Sequence, residues 1–245
     1  MTERTFGDNP PPLRADEALF LDFDGTLVPI APRPDAVVVT AGVLASLGRL
    51  VDRQQGAVAI ISGRSLDQID HWLSPLVLPA AGEHGAQRRG VDGRIRTAAV
   101  TDLSEVSATV RALIDRHPAL LAEFKHGGLA LHYRAAPELE ALCVATIERA
   151  LERMPGYEAL RGKCVVEIKA RGVDKGAAIR QFLVEAPFAG RTPVFVGDDV
   201  TDEAGFDAVL KVGGRAIKVG AGPSRAPGRL ADSNAVRAWL AASDG

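Results

Sequence analysis

Residues Ala18-Leu19-Phe20-Leu21-Asp22-Phe23-Asp24-Gly25-Thr26-Leu27 carry an apolar run straight into Asp-Phe-Asp-Gly-Thr. An uninterrupted apolar run predicts a strand covered on both faces, as in a parallel sheet. Ligands of open α/β sheets sit beyond the carboxyl ends of the strands, which is where Asp22 and Asp24 fall. Residues i and i+2 of an extended chain point the same way, so both carboxylates can face one small volume. Two anions held that close repel, and a divalent cation or a shared proton relieves the repulsion. Alone, the stretch reads equally well as an Asp-rich turn with Gly25 supplying a permissive backbone.

Outward from it the chain alternates. Val28 to Asp35 is a Pro-punctuated loop that cannot be helix interior. Thr40 is an N-cap candidate for a helix whose Val43, Leu44, Leu47, Leu50 and Val51 form one apolar face. Ala57-Val58-Ala59-Ile60-Ile61 is a second buried strand, ending in Ser62-Gly63-Arg64. Strand, helix and strand in succession describe a βαβ unit and hence a parallel sheet. Ser65 has a structural explanation, since Ser65-Leu66-Asp67-Gln68 fits a capping box. Ser62 does not need one, and a hydroxyl beside free backbone N–H groups can hold a phosphate. Gly82-Glu83-His84-Gly85 reads as a tight turn whose His is more simply solvated than catalytic. Gly90-Val91-Asp92-Gly93 reads as a hairpin turn.

From Leu103 the pattern changes. A helix stripe (Leu103, Val106, Val110, Leu113, Ile114) is followed by two strands joined at His126-Gly127-Gly128. Pro137 opens a long helix that buries Cys143 as core filler. Tyr157 to Leu160 and Cys164 to Lys169 read as two more strands. The order is αββαββ, inserted into a βα-alternating chain. Phe124, Val166 and Ile168 fall on one side of their strands. Glu123, Lys125, Glu167 and Lys169 fall on the other, where His132 and Arg134 can join them. Such a face is either an ordinary wet surface or a set of donors and acceptors suited to a polyol.

The alternating part resumes at Asp174-Lys175-Gly176. Asp174 suits a helix cap, whereas Lys175 sits in a first turn that favours anions. An ammonium there is a site candidate because it needs an anion to meet. Val194-Phe195-Val196-Gly197 is a strand ending in Asp198-Asp199-Val200-Thr201-Asp202-Glu203. Thr201 can cap the next helix, with Asp202 and Glu203 in its first turn; Asp198 and Asp199 stay unexplained. Ala216 to Val219 is a last strand and Leu230 to Leu240 a closing helical segment. The expected organisation is a flexible arm (1–16), a Rossmann-like parallel-sheet core (17–101 and 171–245) and an inserted α/β domain (102–170).

Composition narrows the function. With 245 residues, 47% hydrophobic and 24% charged, the chain is an ordinary globular protein able to bury a large core. A formal net charge of −2 gives no basic field for nucleic acid, and two Trp and two Tyr give few stacking platforms. No apolar run approaches the ~20 residues a membrane span needs, and the polar, Pro-rich N-terminus is no secretory signal. Cys143 and Cys164 lack metal-ligand spacing and suit a reducing compartment, so a cytoplasmic protein is expected; a monomer is expected as well. No Gly-x-Gly-x-x-Gly follows the first strand, which argues against a dinucleotide enzyme.

Together, four strand or helix ends present Asp22 with Asp24, Ser62, Lys175, and Asp198 with Asp199. Carboxylates, a hydroxyl and an ammonium match Mg²⁺ and a phosphoryl group, and no His/Cys cluster argues for zinc. Asp-Phe-Asp-Gly-Thr, the strand-ending Ser62, Lys175 ahead of a helix, and Gly197-Asp198-Asp199, in that order, resemble the four motifs of the haloacid dehalogenase (HAD) superfamily. The insertion is similar to that superfamily's αββαββ cap, the C2B type. Gly82-Glu83-His84-Gly85, Ala130 to Arg134, Val165 to Gly176 and Gly197 to Glu203 resemble the trehalose-6-phosphate phosphatase family within it. Ala170, where that family often has Pro, is a departure that touches loop stiffness and not chemistry.

The resemblance implies a mechanism. Asp22 would attack phosphorus, and Asp24 would protonate the leaving sugar oxygen and then activate water, its pKa raised by burial or cap closure. Mg²⁺ would be held by Asp22, the Asp24 carbonyl and Asp198, with Asp199 and Asp202 behind them. Ser62, Gly63 and Lys175 would bind phosphoryl oxygens, and Glu123, Lys125, His132 and Glu167 the sugar. Alternatives are another sugar phosphate such as sucrose phosphate, a phosphomutase, or a non-catalytic sensor; the intact Asp22 and Asp24 argue against the sensor.

Overall fold

The computed structural model describes residues 10–31, 33, 36–98, 102–162 and 164–243. Residues 1–9 of the expected arm, Pro32, Pro34 and Asp35 of the Pro-punctuated loop, and the expected boundary at residue 101 lie outside that set. In chain order the elements begin with β1 (Glu17–Leu21), α1 (Ala41–Arg53), β2 (Val58–Ile61), α2 (Leu66–Leu73), β3 (Ala80–Gly82), β4 (Gln87–Arg89) and β5 (Ile95–Thr97). Then follow α3 (Ser104–Arg116), β6 (Leu121–Phe124), β7 (Gly128–His132), α4 (Glu140–Leu151), β8 (Tyr157–Gly162) and β9 (Val165–Ala170). The chain closes with α5 (Lys175–Phe182), β10 (Thr192–Gly197), α6 (Glu203–Lys211), β11 (Arg215–Val219), β12 (Gly228–Leu230) and α7 (Ser233–Ser243). Two compact units result: one combines the segments that end at Arg96 and resume at Asp174, the other runs from Thr97 to Val173 and encloses the expected insertion.

The first unit is built on a sheet of order β12-β11-β10-β1-β2-β3-β4-β5, parallel from β12 through β3. β4 then runs antiparallel to β3. Parity explains the apolar runs. Leu19, Leu21, Val58, Ile60, Val194 and Val196 pack on one side with residues of α1, α2 and α7. Ala18, Phe20, Ala59, Ile61 and Phe195 pack on the other with residues of α5 and α6. Helices on both faces leave no solvent side, so β1 needs no polar alternation. Leu21 pairs with Val196 on one side and Ile60 on the other, so the ends of β1, β2 and β10 come level. That register puts Asp22, Ser62 and Asp198 at one edge.

The second unit is a four-stranded antiparallel sheet of order β6-β7-β9-β8. Leu129, Leu131, Val166 and Ile168 pack with Val106, Val110 and Leu113 of α3 and Cys143 and Ile147 of α4. Cys143 is core filler, as expected.

Two expectations change. Residues 10–16 are not loose: Leu13 is buried, its N–H donates to Ser243 Oγ at 2.9 Å, and Trp239 Nε1 donates to the Pro11 carbonyl at 3.0 Å. One apolar anchor suffices to pin the segment onto α7. Residues 228–230 form a strand instead of starting the closing helix, because Asp232 accepts from Ala235 N–H at 2.9 Å and starts α7 there.

The packing under β1 rests on three rings, Phe20, Phe182 and Phe188, with centroids 5.1–6.0 Å apart. Phe182→Ala leaves a void among them and should cost about 3–5 kcal/mol. Urea denaturation followed by far-UV circular dichroism should show the midpoint fall with little change in slope.

Candidate active site

Asp22 directly follows β1 and is buried. Its Oδ1 accepts from Lys175 Nζ at 2.7 Å and its Oδ2 from Thr26 Oγ1 at 3.2 Å. Lys175 opens α5 behind Asp174, whose side chain caps the helix by accepting from Ala177 N–H at 2.6 Å. The ammonium that suits a helix start poorly is explained by its partners. It is 3% exposed and donates also to Asp202 Oδ1 at 2.6 Å. The other Asp202 oxygen accepts from the N–H groups of Asp198 and Asp199 at 2.9 and 2.8 Å. Asp22, Asp198 and Asp202 each place a carboxylate oxygen within 4.8 Å of the others.

Three carboxylates around one ammonium leave a surplus of negative charge in a dry place. Burial pushes the Asp22 carboxyl well above the usual range; Lys175 pulls it back, while Asp202 and Asp198 push it further up. Burial, then Asp202, pushes Asp198 up to about 6. Burial opposes the charge on Lys175, but Asp202 and Asp22 outweigh it and hold the ammonium protonated. A cluster of oxygen donors with surplus charge and no imidazole or thiolate fits a hard divalent cation.

Around this cluster the backbone is cramped. Gly25 has φ +79°, and a Cβ there would overlap the Asp198 carboxylate, so glycine is required. The Asp24 side chain is 35% exposed. Both its oxygens are taken by Arg64, Nε at 2.6 Å and Nη2 at 2.7 Å. Ser62 is buried; its N–H donates to the Ala81 carbonyl at 2.8 Å and its Oγ accepts from Arg64 N–H at 3.2 Å, which leaves the hydroxyl proton available. The Gly63 N–H finds no acceptor among the described residues.

The acidic run after β10 sorts differently from the sequence reading. Asp199, not Thr201, caps the 3₁₀ turn Val200–Asp202, in a capping box with Asp202. Asp199 is exposed, so its charge has a structural use, and Asp202 is the residue that joins Asp22 and Asp198. Sequence reasoning also missed Lys218. It is 6% exposed and donates to the carbonyls of Asp198 and Val219. A lysine inside the apolar β11 was the available signal.

Within the second unit, Glu123, Lys125, His132 and Glu167 share the face opposite α3 and α4, paired as Lys125 with Glu167 at 3.2 Å and His132 with Glu123 at 3.7 Å. The His132 contact lowers the Glu123 carboxyl, burial opposes it and Lys125 adds to it.

Lys175→Met should leave Asp22 and Asp202 buried without a counterion, a loss of about 3–5 kcal/mol. Urea denaturation in the presence of a chelator should read it, and restoration of wild-type stability by mild acid would tie the loss to these carboxylates.

The comparisons with known proteins agree with this geometry. A family model described as Trehalose-phosphatase matches residues 20–234. The trehalose-6-phosphate phosphatase of Escherichia coli (strain K12) is 44% identical over 232 residues, covering 94% of this chain and 87% of the relative. A crystal structure of a trehalose-6-phosphate phosphatase related protein superposes with TM-score 0.78 at 31% identity, covering 91% of this chain and 95% of that one. A Bacteroides thetaiotaomicron protein described among the phosphatases of the HAD superfamily shares the fold at TM-score 0.64 and 13% identity, covering 92% and 93%. The chain belongs to the trehalose-phosphatase family, and its fold is that of the HAD-superfamily phosphatases, a parallel-sheet unit with an inserted α/β unit.

Proposed function

We propose that this chain hydrolyses trehalose 6-phosphate to trehalose and inorganic phosphate, with Mg²⁺, through an aspartyl phosphate on Asp22. The observation that carries the reading is Asp22 Oδ1 held at 2.7 Å by a buried Lys175, beside Asp198 and Asp202. Asp22 Oδ1 attacks phosphorus in line while the bond from phosphorus to the sugar oxygen breaks. Lys175, the Ser62 hydroxyl and the Gly63 N–H bind the phosphoryl oxygens and stabilise charge as it develops. Asp24 delivers a proton to the departing oxygen and later takes one from the water that cleaves the aspartyl phosphate. For that role its pair with Arg64 must open, since both oxygens are occupied. Asp22, the Asp24 carbonyl and Asp198 would hold Mg²⁺, with Asp202 and Asp199 organising their loop. The ion when bound supplies positive charge that offsets the carboxylates and the phosphate. The sugar is read by Glu123, Lys125, His132 and Glu167, which supply both donors and acceptors.

Phosphate release from a panel of sugar phosphates, with and without Mg²⁺, tests the reading. Trehalose 6-phosphate should be preferred, chelation should abolish turnover, and Asp22→Asn should lose roughly 10³-fold or more. Preference for sucrose phosphate would retain the chemistry and remove the substrate. Glu123→Gln and Lys125→Met should harm trehalose 6-phosphate far more than p-nitrophenyl phosphate; equal losses would exclude them from sugar recognition.

A pH dependence follows from Asp198. Its carboxyl sits at about 6 without metal, and a ligand must be ionised. Mg²⁺ affinity should therefore fall as the pH drops through about 6, by roughly tenfold or more between pH 7 and pH 5. Calorimetric titration at the two pH values checks this; Asp22, which burial also raises, adds to the same fall, and equal affinity at the two values would exclude it.

A further inference from the structure

The Gly82-Glu83-His84-Gly85 turn has no part in the chemistry above, yet it is strained. Glu83 and His84 both lie in the left-handed region, at φ 50° and 58°. Bulky side chains avoid this region, and such outliers persist where the surroundings over-determine them. Glycine flanks the pair on both sides, so glycine at 84 would meet the backbone requirement more cheaply. The side chain at 84 therefore serves something other than the turn.

Its surroundings show what. The Glu83 N–H donates to the Arg64 carbonyl at 2.8 Å and the His84 N–H to the Ser62 carbonyl at 2.9 Å. With the bond from Ser62 N–H to the Ala81 carbonyl, these tie Ser62-Gly63-Arg64 to the turn on both sides of Gly63. The His84 ring then lies on Gly63: a Cβ at Gly63 would be 2.7 Å from both Cε1 and Nε2. Gly63 has an ordinary φ, so the ring, and not the backbone conformation, is what a side chain there would meet.

We infer that His84 is a positioning residue for phosphoryl recognition, its imidazole being the surface that sets the Gly63 peptide so that its N–H and the Ser62 hydroxyl meet one phosphoryl oxygen together. The inference rests on the reading that Ser62 and Gly63 bind the phosphoryl group, and names what shapes that site. Displacing a binding group by about 1 Å can cost roughly 100-fold, so loss of the ring should be felt although it bonds to no reacting atom.

The test compares wild type, His84→Gly, Gly63→Ala and the double variant Gly63→Ala/His84→Gly in Mg²⁺. Inorganic phosphate affinity is measured by calorimetry, with thermal midpoint and the KM and kcat for trehalose 6-phosphate alongside. His84→Gly relieves the left-handed strain, so its midpoint should hold or rise while phosphate affinity falls roughly tenfold or more and KM rises with it. Gly63→Ala should bind poorly, and removing the ring in the double variant should recover roughly tenfold of that loss. Unchanged phosphate affinity in His84→Gly, a parallel fall of midpoint and affinity, or no recovery in the double variant would each overturn the inference. A wild type that binds phosphate without hydrolysing trehalose 6-phosphate would overturn the proposed reaction alone, and the binding comparison would still decide the role of His84.

Discussion

One ammonium, Lys175 Nζ, shared at 2.7 and 2.6 Å between Asp22 and Asp202, is the interaction on which the centre depends. Buried charges persist only when paired. Here Lys175 bonds two carboxylates and Asp198 lies beside them, so the pairing is incomplete. The residual negative charge makes the cluster receptive to a divalent ion.

The sheet supplies the convergence. Level ends of β1, β2 and β10 bring Asp22, Ser62 and Asp198 to one edge, and α5 brings Lys175 to the same place. Each loop is then bonded to another loop and not only to its own strand. Asp202 holds the N–H groups of Asp198 and Asp199, and Lys218 holds the Asp198 carbonyl. Arg64 holds Asp24, and the His84 turn holds Ser62. Such cross-bracing preorganises groups that would otherwise lose conformational freedom when substrate binds.

The second unit divides its sheet differently. One face is spent on packing against α3 and α4, which leaves alternate residues of β6, β7 and β9 for a charged face of paired groups. Pairing holds those side chains in fixed orientation. Parallel strands covered on both faces could not present such a surface.

Residue order alone made much of this legible. Continuous apolar runs announced the doubly covered strands, period-two alternation announced the half-exposed sheet, and carboxylates at strand tips with a lysine in the wrong helix turn marked the site. These signals are local, because periodicity, capping and the helix dipole act over a few neighbours. The choice of Asp202 over Asp199 as partner of Asp22, the Arg64 clamp on Asp24, the Lys218 brace and the His84 ring on Gly63 left no comparable mark. Each joins residues from separate strands or loops, and such contacts follow from strand order, register and backbone φ, which become definite only when the chain has packed.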